Sequence, residues 1–396
     1  MTALFIRSLG LYFCWFLQSF WPNKDNAAPL SIRRILFLII GMPLFLGLQV
    51  LHWLGFFLDE IFFRAYRKVK VETPLFISGI PRSGTTFVHR TLAHENSTFC
   101  TVSTWEAVLA PSITERKLLT GLRSLDRMIG SPLFRTANDF LTQATDEFNE
   151  IHEVGIHTAE EDYLWLLPIA SCSILSMAFP FSKWLNQTIN PEKMQQREQK
   201  QLLDFYVSCV QRHLFFHGQD RIFLSKNAAF AGWVGLLAER FPNARFLLCV
   251  RHPMSALSSQ LSSLCSARKL FATDPDGERT KDRMTAIFTS SYQHLAELTQ
   301  NTSLERMAII DQGDLRSNEV DVLNQASVRL SFELNPAVRG TNNHKSSSHL
   351  HSASDYGLKN KEIEVCLMPA YRAILHSKQR ITPRTPRPTQ EHGARP

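Results

Sequence analysis

A chain of 396 residues, 44% of them hydrophobic, is long enough to bury one large core or two ordinary ones. The formal net charge of +7 is not gathered into a dense Lys/Arg stripe interleaved with aromatics, which excludes a nucleic-acid face and leaves membrane-flanking cations, a basic tail or an anionic ligand. Seven cysteines, scattered and without a C-x-x-C, argue against a disulfide framework or a zinc site and for mostly free, buried thiols of a reducing compartment.

The chain opens on apolar sequence. ALFIRSLGLYFCWFLQSFW runs from Ala3 to Trp21, and after a polar loop ILFLIIGMPLFLGLQVLHWLGFFL runs without a charge from Ile35 to Leu58. As a helix the second run is about 36 Å long, enough to cross a bilayer core. It is too long for a signal peptide and lacks a cleavage site. Pro43 should kink it, and with His52 it leaves open a hairpin dipping into one leaflet. Arg33 and Arg34 precede the run, and Arg64, Arg67, Lys68 and Lys70 follow it. The heavier cluster lies on the side of the main domain, so the positive-inside rule expects a membrane anchor with that domain in the cytoplasm. Residues 1–70 are therefore read as membrane-associated helices.

From residue 71 the pattern becomes α/β. Pro74–Ile80, Arg221–Lys226, Ala244–Val250 and Arg306–Asp311 are short apolar strand candidates. Helical patterns separate them: TTFVHRTLAHE after the first, a mainly helical stretch over 114–190, MQQREQKQLLDFYVSCVQRHLF before the second, WVGLLAERF and PMSALSSQL around the third. Such alternation predicts a three-layer α/β domain on a parallel sheet over 71–378. KQRITPRTPRPTQEHGARP, 378 onward, is Pro-rich and basic, and 379–396 is expected to be a disordered tail.

The first strand feeds SGIPRSGTT, Ser78 to Thr86. Gly79 and Gly84 have phosphate-loop spacing, but Thr85 stands where the lysine of that loop belongs, and Thr86 takes the final hydroxyl position. A strand, glycine turn and helix still present backbone amides and a helix N-terminus to an anion. Arg82 adds a fork of donors suited to oxyanions. No Asp-bearing strand for Mg²⁺ stands out, so the loop suits a short 5′-anion better than Mg·ATP. A second constellation follows the third strand: Arg251 at the strand end and Ser259 eight residues on can grip another phosphate.

Together these residues resemble the sulfotransferase superfamily, in its bacterial and tyrosylprotein-like branch. PRSGTT is similar to its 5′-phosphosulfate loop and FPNARFLLCVRHPMSALSS to its 3′-phosphate motif. IIDQGDL resembles its Y-E-D-L segment, with Gln312 and Gly313 for the usual acidic pair, and HLHSASDYGL resembles a C-terminal segment of that branch. The resemblance implies a P-loop-like fold and 3′-phosphoadenosine 5′-phosphosulfate as donor, with no metal. It implies that Arg82, Ser83, Gly84, Thr85 and Thr86 hold the 5′-phosphosulfate, that Arg251 and Ser259 hold the 3′-phosphate, and that Lys226 meets the leaving oxygen. Asn227 and Ala228 depart from the Ser/Thr-then-Pro usual after that lysine.

In-line sulfuryl transfer also needs a base for the acceptor's proton. Glu106, in STWEAVLAP, is the first candidate, and His157, Glu160 and Glu161, in IHTAEEDYLWLL, are rivals. The acceptor is a small molecule, lipid or glycan bearing a hydroxyl or amine. A non-catalytic nucleotide-binding membrane protein, or a P-loop kinase or NTPase, are the competing readings. Sequons at Asn96, Asn186 and Asn301 would matter only in a lumenal setting.

Overall fold

In the computed structural model the described residues are 1–21, 27–94, 98–132, 135–136, 158–300, 306–334 and 360–383. Among the described residues six strands form one all-parallel sheet: β1 (Leu75–Gly79), β2 (Phe99–Thr101), β3 (Ile222–Lys226), β4 (Arg245–Val250), β5 (Met307–Asp311) and β6 (Arg380–Ile381). Their spatial order is β2-β3-β1-β4-β5-β6. Cα partners such as Ile77 with Lys226 on one side and Gly79 with Cys249 on the other put the carboxyl ends of β3, β1 and β4 along one edge.

Both faces of the sheet are covered, which is why its central strands read as unbroken apolar runs. Phe76, Phe246, Leu248, Met307 and Ile309 enter one buried cluster. The alternate residues Leu75, Ile77, Leu247, Ala308 and Ile310 enter another. The helices used below are α1 (Thr2–Gln18), α2 (Ile32–Phe62), α3 (Thr85–Ala93), α4 (Thr104–Val108), α5 (Ile113–Met128), α6 (Gln196–His217), α7 (Pro253–Phe271), α8 (Glu278–Gln300), α9 (Glu319–Leu330) and α10 (Met368–Leu375). Val88 and Leu92 of α3 and Val322, Leu323 and Ala326 of α9 fill the second cluster. Tyr206 and Val210 of α6 and Phe288 and Tyr292 of α8 fill the first. The α/β, three-layer expectation is met.

Several details depart from the sequence reading. The tail does not begin at 379: Arg380–Ile381 pairs with β5 as β6, Arg380 ion-pairs with Asp314 at 2.9 Å, and Gln325 donates to the Thr382 carbonyl. The stretch 114–190 is helical only in part; among its described residues, α5 is followed after residue 158 by turns and short helices. At Pro43, α2 takes a π turn over Phe37–Gly41, which makes room where the proline ring would meet the preceding turn's carbonyl.

Residues 1–70 do not pack as a separate layer. Tyr12, Trp15, Met42, Trp53 and Phe56 belong to the same buried cluster as α6 and the sheet. Polar anchors run along that seam. Arg34 donates to the Phe271 carbonyl and to Ser19 Oγ. His52 meets Glu115 at 2.6 Å, and Trp53 donates to the Pro168 carbonyl at 2.9 Å. Asp59 accepts from Arg212 and from the Ile113 and Thr114 amides that open α5. Both Asp59 and Arg212 are fully buried, so each supplies the other's counter-charge. All seven cysteines are free.

Candidate active site

The chain leaves β1 through a turn that only glycine fits. Gly79 has φ 128°, and a Cβ there would lie 2.0 Å from the Cys249 carbonyl oxygen. That close approach lets the Ile80 amide donate to the same carbonyl at 2.9 Å, clamping the loop to the end of β4. The Ser83 hydroxyl is spent inside the loop, donating to the Ile80 carbonyl at 2.5 Å and lying 3.0 Å from that of Cys249. It therefore cannot also hold an anion through its oxygen, and the expectation for Ser83 narrows to its backbone amide. Gly84, at φ 95°, caps α3, whose first turn starts at Thr85 and Thr86 and carries amides without helical partners.

Arg82 has φ 66°, unusual for a residue with a Cβ. Two side chains hold its carbonyl: Arg251 Nη1 at 3.0 Å and Gln312 Nε2 at 3.2 Å. The Arg82 side chain reaches across to α7, where Nε donates to Ser259 Oγ at 3.1 Å. Arg82, Arg251 and Ser259, apart in sequence, thus meet at one place. Burial pulls the Arg82 guanidinium below its ordinary range. Burial does the same to Arg251, helped by the nearby Arg316 and Arg82 charges. A cluster of like charges held together this way is relieved by an anion. Tyr292 braces Arg251 by donating to its carbonyl at 2.5 Å.

Lys226 ends β3 beside β1, is 5% exposed, and ion-pairs with Glu161. Glu160 lies next to it, its carboxyl raised by burial and by the Glu161 charge. Asn227 follows Lys226 and is fixed on all sides. Its amide donates to the Ile77 carbonyl, its carbonyl accepts from Ser78, and its side chain bridges Asp162 and the Tyr163 amide. Asp162 also accepts from Tyr206 at 2.5 Å and Ser225 at 3.0 Å. Burial still pushes the Asp162 carboxyl up to about 6 against these hydrogen bonds. The residue that departs from the family pattern is therefore the tie between the β3 end and the segment bearing Glu161.

Glu106 stands in another setting. It is 2% exposed and closes a capping box at the start of α4, one carboxylate oxygen taking the Ser103 amide at 3.0 Å and hydroxyl at 2.5 Å. The other oxygen meets His217 at 2.5 Å, with Arg116 and His213 each at 3.7 Å. Burial alone would raise this carboxyl, but His213, Arg116 and His217 outweigh it and hold it well below the usual range. Glu106, His213 and His217 are close enough to share a metal ion. Arg116 already contributes a buried cation there and reaches His213 Nδ1 at 3.2 Å.

His157, the sequons at Asn96 and Asn301, and the HLHSASDYGL segment lie outside the described residues. Sequence reasoning missed Arg316, Asp162 and the anchoring role of Gln312. Only for Arg316 was there a signal, a cation just past the strand-end segment that already carried a motif.

No curated protein matches the chain in sequence. Among solved structures it is similar to the sulfotransferase STF1 from Mycobacterium tuberculosis H37Rv, with a TM-score of 0.64, 16% identity, and 91% of each chain covered. It is also similar to the sulfotransferase STF9 from Mycobacterium avium, with a TM-score of 0.60, 13% identity, and 92% of this chain and 95% of that one covered. At such identities these likenesses establish the fold. The sulfotransferase family profile matches residues 74–335, which takes in the glycine loop, Lys226 and the Arg251–Ser259 pair. The chain belongs to the sulfotransferase family.

Proposed function

We propose that this protein transfers a sulfuryl group from 3′-phosphoadenosine 5′-phosphosulfate to a hydroxyl or amine of an acceptor. The observation that carries this reading is the meeting of Arg82, Arg251 and Ser259 at the mouth of a lysine-free glycine loop. A donor with phosphates at both its 5′ and 3′ positions suits that convergence. The amides of Ser83, Gly84, Thr85 and Thr86 and the Arg82 guanidinium take the 5′-phosphosulfate, and Arg251 and Ser259 take the 3′-phosphate.

The acceptor oxygen or nitrogen attacks sulfur in line. Its bond to sulfur forms as the bond from sulfur to the 5′-phosphate oxygen breaks, and adenosine 3′,5′-bisphosphate leaves. Lys226, at the end of β3 beside β1, meets the charge gathering on that oxygen in this reading. Glu161, in contact with Lys226 and partly exposed, is better suited to take the acceptor's proton than Glu106, whose two oxygens are both engaged in a buried cluster. Glu160 beside it, with a raised carboxyl, is the nearest substitute.

α2 is long and apolar enough to cross a membrane, and we read the protein as membrane-associated with its site on the cytoplasmic side, where anionic lipid meets the cations that flank α2. Sulfur-labelled donor, incubated with the full chain and separate phenol, glycan and lipid acceptors, tests the proposal. Label transfer to one class, dependent on Arg251 and Lys226, is expected. Donor that neither binds nor reacts overturns it.

A further inference from the structure

The helix that could cross a bilayer is built inside out. Between Ile35 and Leu58 the polar side chains are Gln49 and His52, and both are turned into the protein, 1% and 2% exposed. Arg34 and Asp59, at its two ends, are fully buried as well. The outward stripe, at helical spacing, is Ile35, Ile39, Leu44, Leu51 and Leu54, all exposed, with Leu44 at 71%. A helix on the surface of a water-soluble domain has the opposite arrangement.

Neighbouring helices extend the apolar face. α1 buries Ser8 and Tyr12 and exposes Phe13, Leu17 and, just beyond its end, Trp21 at 77%. α5, which packs against α2, exposes Leu118, Leu122 and Leu125. Exposed cations bracket this face: Arg33 at one end of α2, and Arg64 and Lys68 just past the other, with Lys117 over the Phe63 ring. Exposed apolar side chains gathered on three neighbouring helices mark an interaction face.

The buried stripe decides how α2 meets a membrane. It is held to the domain at Arg34 by the Phe271 carbonyl, at Trp53 by the Pro168 carbonyl and at Asp59 by Arg212. A helix docked along nearly its whole length, about 46 Å, has no free length with which to cross. We propose that α1, α2 and α5 form a monotopic surface that sinks side-on into one leaflet of an anionic membrane and does not span it. Apolar side chains enter the acyl region, Trp21 sits at the headgroup level, and the cations face anionic headgroups. A second copy of the chain fits less well, because a face-to-face pair would bring the cationic rims together.

The test uses the full chain and vesicles of phosphatidylcholine with or without phosphatidylserine. Flotation with both vesicle types is expected, stronger with phosphatidylserine. A Leu44→Glu/Leu51→Glu variant should keep its melting temperature and lose about tenfold or more in vesicle binding. Nitroxides on Leu36→Cys, Leu44→Cys and Leu54→Cys, in a Cys14→Ser/Cys366→Ser background, read depth. Equal, shallow depths at the three sites are expected. Leu44 at the bilayer centre with the other two near opposite surfaces would make α2 a spanning helix and overturn the proposal. So would a chain that stays monomeric and unbound, its face covered by its own residues, or one that dimerises and ignores vesicles.

Discussion

Arg82 and Ser259 are 177 residues apart, yet Arg82 Nε and Ser259 Oγ lie 3.1 Å from each other, joining the loop after β1 to the helix after β4. The link places the side chain expected at the sulfuryl end of the donor against one expected at the 3′-phosphate. Binding at the two ends should therefore be coupled. Ser259→Ala should weaken adenosine 3′,5′-bisphosphate and also lower turnover, since Arg82 loses its brace. Arg251→Ala should raise the dissociation constant by about 10- to 100-fold, as expected for one charge-assisted contact. Calorimetry without Mg²⁺, with ATP as the comparison ligand, reads both effects. Equal affinity for the two nucleotides in the unaltered protein would remove the 3′-phosphate assignment.

The choice of base separates two carboxylates. Glu161→Gln should slow transfer by about 10²–10⁴-fold per folded molecule at saturating donor, with some loss of melting temperature because it takes the counter-charge from the buried Lys226. Glu106→Gln should act on stability alone. It unbalances a buried cluster with Arg116, His213 and His217, at a cost of about 3 kcal/mol, while folded molecules keep their turnover. Single-turnover rates and thermal melts on both variants decide between them. His157→Ala belongs in the same series, and a large loss there with Glu161→Gln near full rate would move the base to that histidine.

Lys226→Met should lower turnover about 10²–10³-fold with a small effect on donor affinity, because its charge is needed where negative charge develops during transfer. Comparing the dissociation constant with the single-turnover rate tests this. A purely structural lysine would shift the melting temperature and leave the rate per folded molecule intact.

Asp162 makes a pH forecast. Its folded carboxyl is raised to about 6 from 3.8, so the folded state holds the proton more tightly than the unfolded chain. The stabilisation this brings is complete below 3.8 and is lost as the pH rises through about 6. Melting temperatures of the unaltered protein minus those of Asp162→Asn should fall across that window. Glu106 runs the other way. Its lowered carboxyl contributes stability above 4.5 that is lost only as the pH drops toward its folded value.

Gly79→Ala should fail structurally. The added methyl would sit 2.0 Å from the Cys249 carbonyl, at a φ that residues with a Cβ avoid. A loss of about 3 kcal/mol in denaturant unfolding is expected.

What the sequence disclosed follows from local physics. β1, β3, β4 and β5 are apolar on both faces and announce themselves, whereas β2 and β6 have three and two residues and too little pattern to be seen. The glycine loop and the Arg251–Ser259 spacing are local and were legible. The Lys226–Glu161 pair and the Asp162–Asn227 tie join segments about 65 residues apart, and no short-range pattern encodes them. For α2 the signal existed: Arg34, Leu38, Met42, Gln49, His52, Phe56 and Asp59 recur at helical spacing as an inward stripe. Length and lack of charge overshadowed it.

The seam between the first helices and the rest also constrains how the chain is made. Arg34 waits for the carbonyl of Phe271, Ala27 for the amide of Asp274, and Asp59 for Arg212. During synthesis these apolar helices emerge before their partners, which follow more than 150 residues later. At about 5–20 residues per second that interval lasts many seconds. A nascent chain left in water for so long would expose α1 and α2 to aggregation until Phe271 arrives.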